Sequence, residues 1–228
     1  MSQSIEIINS LEIIIDWWRN MSLSVKTDYT KYFISESSLE SGSGLSINRI
    51  DEITKDFPFK LTKAMSQFYQ YWTAELEVAS LVFFLPLENA LDVYYERSRN
   101  SDSRYQITNN PDNTCLFPIF RGYCKEFYYI TCETEEVADS PVWIQYPGDR
   151  PTIYSGSLST LIATFAECYQ NGAFYFDTHG YSEGGEPEED LRKFEITFKK
   201  HNPEYIDIWQ ILHQHRLLEQ SKIEILPE

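Results

Sequence analysis

The stretch from Thr114 to Gly172, TCLFPIFRGYCKEFYYITCETEEVADSPVWIQYPGDRPTIYSGSLSTLIATFAECYQNG, decides the fold. Four short segments in it, TCLFPIF, EFYYITC, PVWIQY and PTIYSG, are aromatic and β-branched, and glycine, proline and acidic turns cut them apart. That pattern predicts a meander of antiparallel strands. Phe127, Tyr129 and Thr131 alternate with Tyr128, Ile130 and Cys132, and both rows are apolar enough for the sheet to be covered on both faces. The period then changes. In SLSTLIATFAECYQNG, Leu158, Leu161, Ile162, Phe165 and Tyr169 recur at helical spacing, Ser157 caps the start, and Asn171-Gly172 supplies a left-handed stop.

Upstream, the chain reads as helical. Ile7, Leu11, Ile14 and Trp18, with Ile8 and Ile15 beside them, form one face of a first helix that Ser4 is placed to cap; the pattern decays after Trp18. SESSLESGSG (35–44) reads as a flexible loop and lacks the strand, helix and lysine of a phosphate cradle. Ser46 caps a short helix carrying Ile47, Ile50 and Ile53, which Phe57-Pro58-Phe59 closes. A second helix, from Thr62 to about Thr73, carries Met65, Phe68, Tyr69 and Trp72. Leu81 to Leu85 is a buried strand, and Pro86 suits the first turn of a helix lined by Leu87, Ala90, Leu91 and Tyr94.

Downstream of the deciding stretch, AFYF (173–176) is a short strand. Pro187 opens a helix with Leu191, Phe194 and Phe198 inward, and Asn202-Pro203 breaks it before a last helix from Glu204 to about Gln220. The class is therefore α+β, a central antiparallel sheet of about four to six strands flanked by helices. The expected organisation is a helical extension (1–34), a flexible loop (35–45), a main domain (46–205) and a C-terminal helix packed on it (206–228).

The formal charge is −16, which disfavours direct nucleic-acid binding and suits either solubility alone or a basic partner. No secretory leader or membrane span is read, so a cytoplasmic location without membrane contact is expected. Cys115, Cys124, Cys132 and Cys168 are four in number, which permits disulfides, but they show no metal spacing and, in a chain expected to be cytoplasmic, read as small buried hydrophobes. His213 and His215 point about 200° apart on a helix and make no metal pair. His179 and His201 have no partner spacing, and Ser155-Gly156-Ser157 lacks a nucleophile frame. Trp17, Trp18, Trp72, Trp143 and Trp209 read as core. No catalytic residue, metal or cofactor is expected. Two acidic clusters stand out. Glu133, Glu135, Glu136 and Asp139 lie between two strands, and Glu186, Glu188, Glu189 and Asp190 lie at the predicted helix start. Each reads either as a solvated turn and a dipole-favoured helix start, or as contact points for a basic partner.

The order of motifs resembles the SUKH superfamily, the group of the yeast SMI/KNR cell-wall regulators and many bacterial immunity proteins. The residues that carry the likeness are Ile50-Asp51-Glu52-Ile53, FPFKL before a helix ending in YQYW, and FFLPLENAL. LFPIF with Gly122, FYYIT, PVWIQY, Tyr154-Ser155, the 157–177 segment and KKHNPEY complete it, the last resembling a segment of the longer bacterial members. The match runs from about Ile47 to Tyr205. Members usually follow their YxW helix with Asn-Gly, whereas Trp72 here precedes Thr73-Ala74-Glu75. The resemblance implies an intracellular, non-enzymatic binding module. The implied partner is a protein, a basic toxin domain, often a nuclease, held by direct contact. The alternatives are a regulatory scaffold acting on endogenous partners and a hydrolase using acidic residues. The oligomeric state stays open.

Overall fold

A computed structural model describes residues 2–24, 44–79, 82–99, 114–123, 125–177 and 186–205. Its centre is a six-stranded antiparallel sheet in which every strand lies beside its sequence neighbour. The strands are β1 (Glu77–Ala79), β2 (Val82–Phe84), β3 (Thr114–Gly122), β4 (Phe127–Glu133), β5 (Val142–Gln145) and β6 (Thr152–Ser155). The described helices are α1 (Ser2–Ser24), α2 (Ile47–Ile53), α3 (Lys63–Tyr71), α4 (Leu87–Arg99), α5 (Leu158–Asn171) and α6 (Leu191–His201). A second, two-stranded sheet pairs β7 (Phe174–Asp177) with β8 (Glu186–Glu189).

The four strands expected from the deciding stretch are all present and pair consecutively. Pro118 sits inside β3, where it cannot donate to a ladder. A register shift between Pro118 and Phe120 accommodates it, and the intervening Ile119 carbonyl accepts from Leu85 N at 2.9 Å. One face of β4, carrying Tyr128, Ile130 and Cys132, is fully buried. Met65 and Phe68 of α3 meet Cys132 and Phe120 there, Tyr94 of α4 meets Phe117, and Phe198 of α6 reaches Tyr154. On the other face Tyr129 is buried, while Phe127, Thr131 and Trp143 are half-buried. Arg97 lies 4.0 Å over the Phe127 ring and donates to the Tyr129 hydroxyl.

The helix ends follow the predicted chemistry in most places. Ser46 and Ser157 accept from the amides three residues on, and Gly172 ends α5 at φ +70°; Thr62, expected as the first helical residue, is the cap of α3 and accepts from Met65 N. Ser4, by contrast, lies inside α1, which starts at Ser2 and runs on to Ser24, past the decay of its apolar pattern. Ile7, Leu11, Ile14, Ile15 and Trp18 belong to the one core cluster, and α1 packs against α5 and α3. In α2 only Ile50 is buried; Ile47 is exposed. Pro86 precedes α4 by one residue and accepts from Ala90 N.

Two elements differ from the reading of the sequence. Glu77–Ala79 forms β1, a three-residue strand too short to carry a period. Pro187 lies within β8 and does not open a helix; α6 begins at Leu191, capped by Asp190. The 35–43 loop, most of the expected last helix and Cys124 lie outside the described residues. Gly44, at the edge of that loop, is held in place. Leu45 N donates to the Tyr69 carbonyl, and a Cβ on Gly44 would fall 1.7 Å from the Gln70 carbonyl oxygen.

Candidate partner-binding surface

The loop from β4 to β5 is wedged between two helix N-termini, where unpaired amides concentrate partial positive charge. The carbonyls of Val137 and Ala138 accept from Lys63 N at 2.9 Å and Ala64 N at 3.0 Å, the first amides of α3. Asp139 does the same for α5. Its Oδ1 accepts from Leu158 N at 3.1 Å and its Oδ2 from Ser159 N at 3.0 Å, while Oδ1 also takes Ser140 N. At its other end the loop is tied by Lys60 N, which donates to the Glu133 carbonyl at 2.7 Å. Asp139 is thereby committed to capping. Glu133 is half-buried, Glu135 and Glu136 are exposed, and Glu136 stands 3.7 Å from Lys63 Nζ. The loop therefore holds its three glutamates on a backbone fixed at several points.

The second predicted cluster is built differently. Glu186 to Glu189 pair with Asp177 to Phe174 as β8, with Pro187 in a ladder of two strands among the described residues. Glu188 and Glu189 are half-buried. Asp190 caps α6, accepting from Arg192 N at 3.1 Å and Lys193 N at 3.0 Å. Asp139 marks the N-terminus of α5. The β7–β8 pair joins its C-terminus, where Asp190 N donates to the Ala173 carbonyl. The 14 residues of α5 separate the clusters by roughly 21 Å at about 1.5 Å per residue. The structure does not bring them together into one carboxylate site.

A more continuous acidic surface lies on α4. Glu88, Asp92 and Glu96 are all exposed and recur every fourth residue, which stacks them on one side of the helix. The α2 segment runs alongside. Arg49 lies 3.6 Å from Glu88 and 2.7 Å from Glu52, and the Tyr95 hydroxyl donates to the Asp56 carbonyl at 3.0 Å. Asp51, Glu52 and Asp56 are exposed beside them, with Lys55 as a further cation. Like charges spaced by four weaken a helix by about 0.2–0.5 kcal/mol per pair. Arg97 and Arg99 in the last turn and Glu88 in the first partly offset this through the helix dipole. The signal was present in LENALDVYYER, but the apolar period of Leu87, Ala90, Leu91 and Tyr94 drew the reading to the other side of the same helix.

His201 is partly buried and meets Glu167 at 2.7 Å, while Lys200 donates to both Glu167 oxygens at 2.7 Å. The Lys200 hydrogen bonds, and then that of His201, hold the Glu167 carboxyl below its ordinary range against the opposing effect of burial. The group ties α6 to α5. Among the described residues, no three His, Cys, Asp or Glu side chains stand where they would hold a metal ion. No described helix is long and apolar enough to cross a membrane. Ser155 is buried and donates to Asn202, and Ser157 is the α5 cap, so each serine of the Ser155-Gly156-Ser157 turn has a structural partner. His179, His213, His215 and Trp209 lie outside the described residues. Neither the protein-family models nor the curated proteins contain a match to this chain.

Proposed function

We propose that this protein is a non-enzymatic, protein-binding module of SUKH type that neutralises a toxin by direct contact with a basic toxin domain. The observation that carries the reading is the row Glu88, Asp92 and Glu96 on α4, bordered by Asp51, Glu52 and Asp56. Such a row opposes the stability of its own helix, and a basic partner surface relieves that repulsion. The formal charge of −16 extends the same attraction over longer range and accelerates encounter. The β4–β5 loop, with Glu133, Glu135 and Glu136 on a fixed backbone, is the second contact candidate. The motif order from Ile47 to Tyr205 supplies the family side of the reading.

The test is binding to a basic toxin domain encoded beside this gene, measured as association rate against salt. Reversing Glu88, Asp92 and Glu96 to lysine is expected to slow association by about 10-fold or more and flatten its salt dependence. The matching triple reversal at Glu133, Glu135 and Glu136 measures the loop separately. Far-ultraviolet circular dichroism establishes that each variant is folded. Unchanged rates for both variants would place the contact away from both acidic surfaces. Recovery of housekeeping proteins alone from the native host would move the reading to a regulatory scaffold.

A further inference from the structure

Cys115 and Cys132 are directly opposed across the β3–β4 ladder, and both are buried free thiols. Opposed residues of an antiparallel pair project to the same face, with Cα atoms about 4.5 or about 5.5 Å apart according to the type of rung. Either spacing falls within the range of about 4.4–6.8 Å that a disulfide spans. Opposed Cβ atoms stand about 4.5–5.5 Å apart, against a mean of about 3.8 Å in disulfides. A closing movement on the order of 1 Å therefore makes the bond without any change of register. Burial, and after it the neighbouring Cys115 thiol, raise the Cys132 thiol above its ordinary range. No other pair of described cysteines is opposed in this way: Cys168 lies within α5, away from the β3–β4 ladder.

We propose that Cys115 and Cys132 form a reversible dithiol–disulfide site whose oxidant is a small-molecule disulfide. One cysteine, as its thiolate, attacks a sulfur of the oxidant, forming a mixed disulfide and releasing one small thiolate. The opposed cysteine then loses its proton and attacks the protein sulfur of that mixed disulfide, releasing the second small thiolate. One S–S bond forms in the protein and one is broken in the oxidant. The two protein thiol protons pass to the released thiolates, and the oxidant takes up the electron pair.

The position of the pair sets when this happens. Burial holds Cys132 in its protonated form, with the Met65 sulfur 3.9 Å from its own, so the closed site is unreactive. Only the Thr114–Glu133 rung lies beyond the pair at that end of the paired register. Opening those last two rungs, together with the Lys60 N–Glu133 carbonyl bond and the Met65 contact over Cys132, gives an oxidant access to the sulfurs while the rest of the sheet stays paired. The bond, once made, ties β3 to β4 at the root of the β4–β5 loop. This site is independent of the protein-binding reading.

The full chain is incubated with oxidised glutathione, in native buffer and in urea below the unfolding transition. Free thiols are then counted after denaturation, and unreduced peptides are mapped by mass spectrometry. The expected result is loss of two of the four thiols, faster in urea, with one peptide joining residues 115 and 132, reversed by dithiothreitol. Cys115→Ser and Cys132→Ser are each expected to stop at a single glutathione adduct on the remaining member of the pair. Four persistent thiols in both conditions would overturn the proposal. So would a wild-type product holding only glutathione adducts, or a dominant cross-link through Cys124 or Cys168. The wild-type map decides even where a serine variant fails to fold.

Discussion

Asn202 is fully buried, and both polar atoms of its side chain are used. Its Oδ1 accepts from Ser155 Oγ at 2.6 Å, and its Nδ2 donates to Thr164 Oγ1 at 3.2 Å and to the Phe198 carbonyl at 3.3 Å. One side chain thus joins β6, α5 and the end of α6. Asn202→Ala should cost about 2–4 kcal/mol, the sum of several lost bonds and the partners left buried, read as a lower urea midpoint. From the sequence, Asn202-Pro203 is legible only as a helix breaker, because Ser155 and Thr164, which Asn202 joins, lie 47 and 38 residues away. Glu167 offers a pH test of the same seam. Its folded pKa is depressed, so its contribution is present above the unfolded value of about 4.3 and is lost as pH falls through the folded one. Glu167→Gln should flatten that acid limb of the stability profile, measured as urea midpoints over an acid pH series. An unchanged limb would show that other carboxylates set it.

At the scale of elements, α1 shows how far packing exceeds pattern. Its apolar face is legible in the sequence, but nothing there names what that face meets. The structure places Trp17 against Tyr169 of α5, and the Trp18 indole donates to the Glu77 carbonyl at 2.8 Å. That bond reaches β1, the strand with no periodic signal of its own. Trp18→Ala should therefore lose about 3–5 kcal/mol, measured by denaturant unfolding, and loosen β1 together with α1. The Glu186–Glu189 strand failed to show for a related reason. A run of glutamates with one proline carries helix-start chemistry locally, and pairing with Phe174 to Asp177 overrides it. The acidic turn was located correctly, yet the capping of α5 by Asp139 needed the fold, since Leu158 and Ser159 lie about twenty residues further along.

Over the whole molecule, the balance of charge acts on stability as well as on encounter. Nineteen cationic residues face thirty-five acidic ones, and the described acidic residues are spread over α2, α4, the β4–β5 loop and β8. Self-repulsion of that kind destabilises the compact state. Raising salt from about 0.01 M to about 0.15 M shortens the screening length from about 30 Å to about 8 Å. The urea midpoint is expected to rise over that range. A midpoint that falls would show that the surface ion pairs, such as Arg121 with Glu75 and Arg49 with Glu52 and Glu88, outweigh the repulsion.

The α+β class, the strand meander from Thr114 to Ser155, the caps at Ser46 and Ser157, and the Gly172 stop are all legible in the amino-acid sequence. Each depends on period or on contacts three or four residues apart, and both are written locally in the chain. Tertiary structure alone decided the partners of α1, the existence of β1, the strand at Pro187 and the capping role of Asp139. It also decided which acidic residues share a surface and which cysteines face each other. Those depend on groups brought together from distant parts of the chain, where the free energy of burial and pairing outweighs local preference.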